Sequence, residues 1–237
     1  MMNKYLVITG GSSGIGLATA ELFLENKFQV INLSRTSCPL NSVVNLQIDL
    51  KEKGFESRLQ QELIPSLQKP ANIILVHNAA YLNKDNVENI AADNLRDILE
   101  INLVAPTILN RILLPLMSPG SAIIYVGSTL SEKAIPNALS YVTSKHAITG
   151  LMKATCQDLI EMGRDIHTAC ICPGFTDTPM LHYRANYDPT IIEQIKSMNG
   201  QNRLIETIEI AKTIYFSATN PVINGAIIHA NLGQKER

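Results

Sequence analysis

Apolar residues along the chain alternate between short continuous runs and longer stretches with helical spacing. The runs IILV at 73–76 and AIIYV at 122–126 are apolar throughout except for one tyrosine hydroxyl. Such runs are typical of strands that are buried on both faces of a parallel sheet. The pattern predicts seven strands, at residues 5–9, 29–33, 43–48, 73–77, 121–126, 167–172 and 226–229.

Between the strands, apolar residues recur every three or four positions, as they do on one face of a helix. Leu95, Ile98 and Leu99 show this spacing in the longest stretch. An alternation of strands and helices along the whole chain predicts a doubly wound α/β fold, with helices on both faces of a seven-stranded parallel sheet. The predicted helices cover residues 15–26, 55–67, 92–116, 141–162 and 205–217, and residues 174–200 are expected to form a long irregular segment.

Composition narrows the class of protein. The 237 residues are 46% hydrophobic and 17% charged, with a net charge of −1. This balance is typical of a globular chain and gives no reason to expect a nucleic-acid or membrane partner. The four cysteines show no C-x-x-C spacing and no neighbouring histidine cluster, so we expect reduced thiols in a cytoplasmic protein and no metal site.

A glycine-rich turn follows the first predicted strand and opens the first predicted helix. Residues 9–16 read TGGSSGIG. Glycines let the backbone turn tightly and approach a pyrophosphate, and the helix N-terminus offers free N–H groups and the positive end of its dipole. Such turns also arise for purely steric reasons, but this position in an α/β chain favours nucleotide binding. We therefore predict a single Rossmann domain over residues 1–237.

A tyrosine and a lysine lie one helical turn apart. Tyr141 and Lys145 have the spacing i, i+4 and share one face of a predicted helix. An ammonium stabilises a nearby phenolate, which suits the tyrosine for general acid–base work, although such pairs also occur by chance. Gly10, Asn78 and Ser128 each lie just past a predicted strand. The carboxyl ends of strands are where doubly wound sheets bind their ligands.

The order and spacing of these motifs resemble the short-chain dehydrogenase/reductase family over about residues 4–233. The resemblance implies an enzyme that moves a hydride between a nicotinamide dinucleotide and a carbonyl or secondary alcohol. It implies Tyr141 as the general acid/base, with Lys145 stabilising the phenolate and binding the nicotinamide ribose. It further implies that Ser128 donates to the substrate oxygen and that Asn102 holds a water linking Lys145 to solvent.

The end of the second predicted strand bears on which dinucleotide binds. An NAD enzyme usually has an acidic residue here, which accepts from the ribose 2′-hydroxyl, whereas this chain has Ser34 and Arg35. A guanidinium pairs with a 2′-phosphate, so we predict NADP(H), with NAD(H) as the alternative if Arg35 is merely solvated. The predicted cofactor-binding residues are Gly10, Ser12, Ser13, Gly14, Ile15, Gly16, Ser34, Arg35, Asp49, Leu50, Asn78, Ala79, Ala80, Tyr141, Lys145, Pro173, Gly174, Thr176 and Thr178.

Two residues beside Asn78 depart from the family pattern. His77 stands where the family usually has the first asparagine of N-N-A-G, and Ala80 replaces its glycine. Since His77 ends a buried strand, we expect a histidine held by backbone partners and not a catalytic one.

The segment after the sixth predicted strand is expected to form much of the substrate pocket. Met180, Leu181, Tyr183 and Tyr187 predict a partly apolar, aromatic-lined site for a small carbonyl or alcohol compound. The two long predicted helices carry enough apolar surface to pair subunits, and the resemblance implies a homodimer or tetramer. The alternative functions are an NAD(H)-dependent alcohol-oxidising dehydrogenase and a non-catalytic dinucleotide-binding sensor or scaffold.

Overall fold

The seven apolar runs form the strands of one parallel sheet. The computed structural model describes residues 3–68 and 71–234. Within these residues the strand order is β3-β2-β1-β4-β5-β6-β7, and every neighbouring pair is parallel. The predicted fold class is confirmed. The strands are β1 Asn3–Thr9, β2 Gln29–Ser34, β3 Val43–Gln47, β4 Ala71–His77, β5 Ser121–Val126, β6 Ile166–Pro173 and β7 Ala226–Ala230.

Helices cover both faces of this sheet. On one face, Ala20 and Phe23 of the first helix pack with Ile210 and Ile214 of the last one. On the other face the core is built from the three intervening long helices. Two helices consist of consecutive segments: α2 begins with Phe55–Arg58 and ends with Ile64–Ser66, and α3 begins with Ala92–Leu99 and ends with Leu114–Leu116. The other helices are α1 Gly14–Glu25, α4 Leu139–Glu161, α5 Pro179–Arg184, α6 Pro189–Lys196 and α7 Thr207–Thr219.

The α2 and α3 helices each contain a π-helical turn just before a proline. These turns are Leu59–Leu63 and Glu100–Val104, and the prolines are Pro65 and Pro106. Proline has no N–H to donate to the carbonyl four residues earlier, so the regular ladder is interrupted there. In α3 this irregularity contains Asn102, one of the predicted catalytic residues.

The α3 helix is also apolar enough to be compared with a membrane span. Over Ala92–Leu116 an 18-residue window reaches a mean hydropathy of 1.3, and 44% of that window is buried. Ala105, Leu109 and Leu113 pack into the core beneath the sheet. The helix therefore has an internal partner for its apolar face.

The prediction of a long irregular segment after β6 was wrong, because α5 and α6 lie within it. Thr178 and Asp188 cap these two helices, accepting from Leu181 N at 3.3 Å and from Thr190 N at 2.8 Å. Pro179 follows the first cap, and the second helix begins in the same way. A proline is favourable in the first helical turn, whose N–H groups lack partners in any case.

Candidate active site

One cavity of about 670 Å³ lies along the carboxyl ends of the strands. It brings together residues from Gly10 to Gln234, and its lining includes every predicted cofactor-binding residue except Gly16. The predicted catalytic residues Ser128, Tyr141 and Lys145 line the same cavity, whereas Asn102 does not.

The glycine loop is shaped by close contacts that a side chain would prevent. Gly10 has a φ of +68°, and a Cβ there would lie 3.1 Å from Ala79 Cα. A Cβ on Gly16 would lie 2.1 Å from the carbonyl oxygen of Gly10. Gly16 therefore lets α1 pack directly against the loop, which explains why it is needed although it does not line the cavity.

Asn78 joins the end of β4 to this loop. Its Nδ2 donates to Thr9 O and Gly10 O, each at 3.0 Å. Thr9 Oγ1 in turn accepts from the backbone N–H groups of Asn78 and Ala79, both at 3.0 Å. The amide thus fixes the position of the loop at the point where the strand order reverses.

The residues of the cavity fit a dinucleotide. The N-terminus of α1 faces it, and the Ser13 side chain does not cap this end of the helix. Its free N–H groups and positive dipole end favour a pyrophosphate. Among the described residues that line the cavity, Asp49 is the only acidic one, so little negative charge opposes an anion.

The adenosine side of the cavity carries the residues predicted to select the cofactor. Ser34 Oγ lies 3.3 Å from Ser12 Oγ, and exposed Arg35 forms no ion pair with any carboxylate in the described ranges. Asp49 Oδ1 accepts from Lys51 N at 3.0 Å, which fixes the turn after β3. Leu50 lines the cavity beside it.

The predicted catalytic pair is buried on α4. Tyr141 is 8% exposed and Lys145 is 4% exposed. Lys145 Nζ donates to Val126 O at 2.7 Å and lies 5.5 Å from the centroid of the Tyr141 ring. The ammonium is therefore held between the end of β5 and the tyrosine.

Ser128 lies in a tight turn after β5. Its Oγ accepts from Leu130 N at 3.1 Å, and its N–H donates to Ser131 Oγ at 3.1 Å. This arrangement fixes the hydroxyl and leaves its hydrogen free to donate into the cavity. Gly127, which precedes Ser128, was not among the predicted site residues. A side chain does not fit there, because a Cβ would lie 2.8 Å from the sulfur atoms of Cys170 and Cys172.

Asn102 supports the site from outside the cavity. Its Oδ1 accepts from Tyr81 N at 2.7 Å, and its Nδ2 donates to Tyr81 O at 3.0 Å and to Ser144 Oγ at 2.9 Å. These bonds tie α3 to the loop after β4 and to the helix that bears Tyr141. The predicted role of Asn102 in a water relay stays a prediction.

The segment after β6 closes the cavity on the side of the glycine loop. Pro173 and Gly174 line it, as do Thr176 and Thr178. Thr176 Oγ1 donates to Gly174 O at 3.1 Å, and Thr178 Oγ1 donates to Thr176 O at 3.3 Å. The two threonines therefore stiffen the turn that leads into α5.

Comparison with known proteins decides the family. The family model for short chain dehydrogenases matches residues 4–188. The chain belongs to the short-chain dehydrogenase family. As a short-chain dehydrogenase it is an oxidoreductase of alcohol or carbonyl groups that uses a nicotinamide dinucleotide, and the predicted recognition is confirmed.

Relatives match this short-chain dehydrogenase over nearly its whole length. Ipsdienol dehydrogenase from Ips pini is 29% identical over 250 residues, covering 95% of this chain and 94% of that protein. A short chain dehydrogenase family protein from Francisella tularensis subsp. tularensis SCHU S4 superposes with a TM-score of 0.89 at 26% identity, over 100% of both chains. The structure of 4-hydroxyisoleucine dehydrogenase complexed with NADH gives a TM-score of 0.85 at 26% identity, covering 99% of this chain and 100% of that one.

The substrate side of the cavity differs from the sequence expectation. Met180 and Leu181 line it as expected, but Tyr183 and Tyr187 are 65% and 68% exposed and do not. The unpredicted helix α5 contributes to this difference, because Leu181 and Arg184, three positions apart, share a face of it that lines the cavity. Tyr187 lies beyond the end of this helix. Sequence reasoning missed lining residues that come from segments far apart in the chain, among them Tyr81, Leu82, Lys133, Ile135, Arg184, Met198 and Gln234.

We expected backbone partners for His77, but the structure shows that a side chain holds it. Its Nε2 pairs with Asn110 Oδ1 at 2.8 Å, and Asn110 Nδ2 donates to the Tyr125 hydroxyl at 2.7 Å. Burial lowers the pKa of His77 from 6.5 to about 4, and burial raises the pKa of Tyr125 to about 12. Both groups are therefore neutral at physiological pH and belong to the core.

Proposed function

We propose that the chain is an NADP(H)-dependent oxidoreductase that reduces small carbonyl compounds and oxidises the corresponding secondary alcohols. One observation carries this proposal. The hydroxyls of Ser128 and Tyr141 and the ammonium of Lys145 line the same cavity as the glycine loop and Arg35. When bound, the dinucleotide supplies or removes the hydride.

The side chains of the cavity can handle the proton that this chemistry requires. Ser128 donates a hydrogen bond to the substrate oxygen and orients it toward Tyr141. Tyr141 gives its proton to that oxygen during reduction and takes it back during oxidation. Donors that are already in place stabilise charge on the oxygen without reorganising.

Lys145 serves this proton transfer through its position. Its bond to Val126 O holds the ammonium beside the Tyr141 ring. A positive charge near the phenol favours the phenolate that forms when the proton leaves. Two further N–H groups of the ammonium are left for the cofactor ribose, as proposed from the sequence.

The preference for NADP(H) is supported by the adenosine side of the cavity. Arg35 and the hydroxyls of Ser12 and Ser34 lie there. Within residues 3–68 and 71–234, no carboxylate forms an ion pair with Arg35. A guanidinium can bind a 2′-phosphate through two parallel hydrogen bonds. We therefore assign Arg35 as the residue that recognises this phosphate.

The Arg35→Gln variant tests the cofactor proposal. We expect its Kd for NADPH to rise by about 10- to 100-fold, the typical loss for hydrogen bonds to a charged group. The Kd for NADH should change little, because NADH lacks the phosphate. Titration of nicotinamide fluorescence with each reduced cofactor measures both constants.

Arg96→Gln is the matched control, since Arg96 is an exposed arginine that pairs with Asp93 across one helical turn and does not line the cavity. It should leave both affinities unchanged. Equal affinity of the wild-type protein for NADPH and NADH would contradict the preference. Turnover of secondary alcohols with NAD⁺ alone would favour the NAD(H)-dependent alternative, and cofactor binding without turnover of any ketone would favour the sensor.

We also propose that the protein assembles as a homodimer or tetramer. Helices α3 and α4 carry apolar residues that pack against the core but are only partly buried, including Ile108, Ile112 and Leu151. A second copy could cover this surface. Sedimentation velocity should show a single species larger than the monomer, and a purely monomeric protein would contradict the proposal.

We further propose that the protein works in the cytoplasm. Its four cysteines are buried free thiols, the state that a reducing compartment maintains. Fractionation of cells that express the native gene should place the protein with soluble cytoplasmic markers, and recovery from a secreted fraction would contradict this.

A further inference from the structure

Arg184 is a cation at the cavity that the proposed chemistry does not use. It is the last residue of α5 and lines the cavity. Its Nη2 donates to Asn137 O at 3.3 Å, whereas its Nη1 is buried without a hydrogen-bond partner among the described residues. A buried donor on a charged group is costly when it lacks an acceptor. Since no residue in the described ranges supplies this acceptor, the position of Arg184 is suited to an acceptor on a bound ligand.

The surroundings of Arg184 place it close to the reacting groups. Its contact Asn137 lies immediately before the N-terminal end of α4, the helix that bears Tyr141. Burial lowers the pKa of Arg184, and the negative charges that Tyr141 and Asp85 can carry act in the opposite direction. A guanidinium stays protonated at neutral pH despite such a shift. The charge is thus within electrostatic range of the Tyr141 hydroxyl.

Asp85 is an internal candidate for the missing acceptor because its charge acts on Arg184, but its oxygens accept hydrogen bonds from Ser140. Oδ1 accepts from Ser140 N at 2.9 Å, and Oδ2 accepts from the Ser140 hydroxyl. Both bonds hold the first turn of α4 in place. If this carboxylate moved toward Arg184, the buried N–H and hydroxyl of Ser140, next to Tyr141, would lose their acceptor.

The rest of this end of the cavity is positive and apolar. Lys133 also lines it, and its Nζ donates to Gln234 O at 3.2 Å. Ile135, Leu181 and Met198 supply apolar surface. The single acidic lining residue in the described ranges, Asp49, lies after β3 on the adenosine side. An anionic group joined to a short hydrocarbon chain matches this lining.

We propose that Arg184 binds a carboxylate of the substrate, so that the enzyme acts on small keto acids and the corresponding hydroxy acids. This inference rests on the proposed function and names its substrate class. A planar guanidinium matches a carboxylate through two parallel hydrogen bonds. Because the cavity of about 670 Å³ must also hold the dinucleotide, the substrate is a short-chain compound.

The test compares acids with neutral analogues of the same shape. The substrates are the 2-, 3- and 4-oxohexanoates and their methyl esters, each assayed with NADPH. For at least one pair, we expect wild-type kcat/KM to favour the acid by about tenfold or more. The Arg184→Gln variant should lose this preference through a higher KM for the acid, with kcat for both compounds and KM for the ester nearly unchanged. Arg184→Lys should retain part of the preference.

Lys196→Gln is the matched control, because it removes one positive charge from the neighbouring helix α6 at a residue that does not line the cavity. It should keep the full preference for the acid. Melting temperature and NADPH affinity check that each variant is folded. If Arg184→Gln lowers kcat for acid and ester alike, Arg184 only positions α5 and α4, and the proposal is overturned.

A binding experiment separates this inference from the proposed function. Calorimetry on the NADPH-bound protein should detect hexanoate but not hexanamide, and Arg184→Gln should abolish the hexanoate signal. Turnover of esters with no preference for any acid would overturn the carboxylate site and leave the reductase intact. Hexanoate binding that depends on Arg184, in a protein that turns over no carbonyl compound, would support the site and overturn the reductase.

Discussion

Individual side chains at the site are held by hydrogen bonds that fix them before any ligand arrives. Lys145 is bound to Val126 O, and Ser128 is bound to Leu130 N and Ser131 Oγ. Tyr141 is almost fully buried next to them. Preorganised groups of this kind act strongly because no reorganisation is needed when charge develops. Two predictions belong to the residue scale: one concerns the hydroxyl of Tyr141, and the other concerns the buried imidazole of His77.

Tyr141→Phe tests the proton-transfer role. The phenyl ring keeps the packing, but the variant has no acidic hydrogen to exchange with the substrate oxygen. We expect kcat with NADPH and a ketone to fall by about a hundred- to ten-thousandfold. NADPH affinity, measured by fluorescence titration, should remain near the wild-type value. The exposed Tyr183 on α5 provides the control, because Tyr183→Phe should be fully active; a Tyr141→Phe enzyme with wild-type kcat would refute the mechanism.

His77 should make stability depend on pH. Its folded-state pKa of about 4 lies below the usual 6.5, so the unfolded chain binds more protons between these values. The stabilisation is complete above about pH 6.5 and is lost as the pH falls toward about 4. From about pH 7 to about pH 5 the free energy of unfolding should drop by roughly 2 kcal/mol through this residue.

Urea unfolding of the wild type and of His77→Asn at the two pH values measures this effect. The variant is expected to be less stable throughout but to show a smaller drop on acidification. Burial also lowers the pKa of His167, and that contribution cancels in the comparison because both proteins retain it. The control His146→Asn removes a histidine from the exposed surface of α4, and it should behave as the wild type. An identical pH dependence in wild type and His77→Asn would show that His77 does not titrate in this way.

At the element scale, the site exists because parallel strands place their carboxyl ends at one edge. The chain passes from β1 to β2 on one side and reaches β4 on the other, which opens a crevice between the two connections. Helix α1 lies close to this crevice only because Gly16 has no side chain. Thr178 caps α5, and this helix brings Met180 and Leu181 to the substrate side of the cavity.

Gly16→Ala tests the close packing of α1 on the glycine loop. A Cβ at this position would lie 2.1 Å from Gly10 O and 2.6 Å from Asn78 Nδ2, so loop or helix must move. We expect a loss of about 1–3 kcal/mol in the free energy of unfolding and an NADPH Kd that rises by about tenfold or more. Thermal unfolding and fluorescence titration measure the two quantities.

Gly150→Ala is the matched control, because a Cβ at Gly150 on α4 meets nothing within 4 Å. Alanine is the better helix former, so this variant should be more stable by about 0.5–1 kcal/mol with unchanged cofactor binding. If both alanine variants bound NADPH as the wild type does, the contact between loop and helix would not matter for the cofactor.

At the scale of the whole molecule, the cavity is a product of the complete sheet. Its lining begins at Gly10 and extends to Gln234, so residues from both ends of the chain meet there. Folding of a part of the chain would therefore not build the site. The organisation as one domain over residues 1–237 and the oligomeric state stay predictions.

The sequence alone determined the strands, most helices, the glycine loop and the Tyr141–Lys145 pair. Each of these depends on the spacing and the type of residues that lie close together in the chain. It also indicated Arg35 and Ser128, since they lie one and two positions after the end of a strand. Tertiary structure decided which other side chains reach the cavity. Arg184 contacts Asn137, 47 positions earlier, and Asn102 contacts Tyr81, 21 positions earlier. Such contacts cannot be predicted from a periodic pattern in the sequence, because they depend on how distant segments pack.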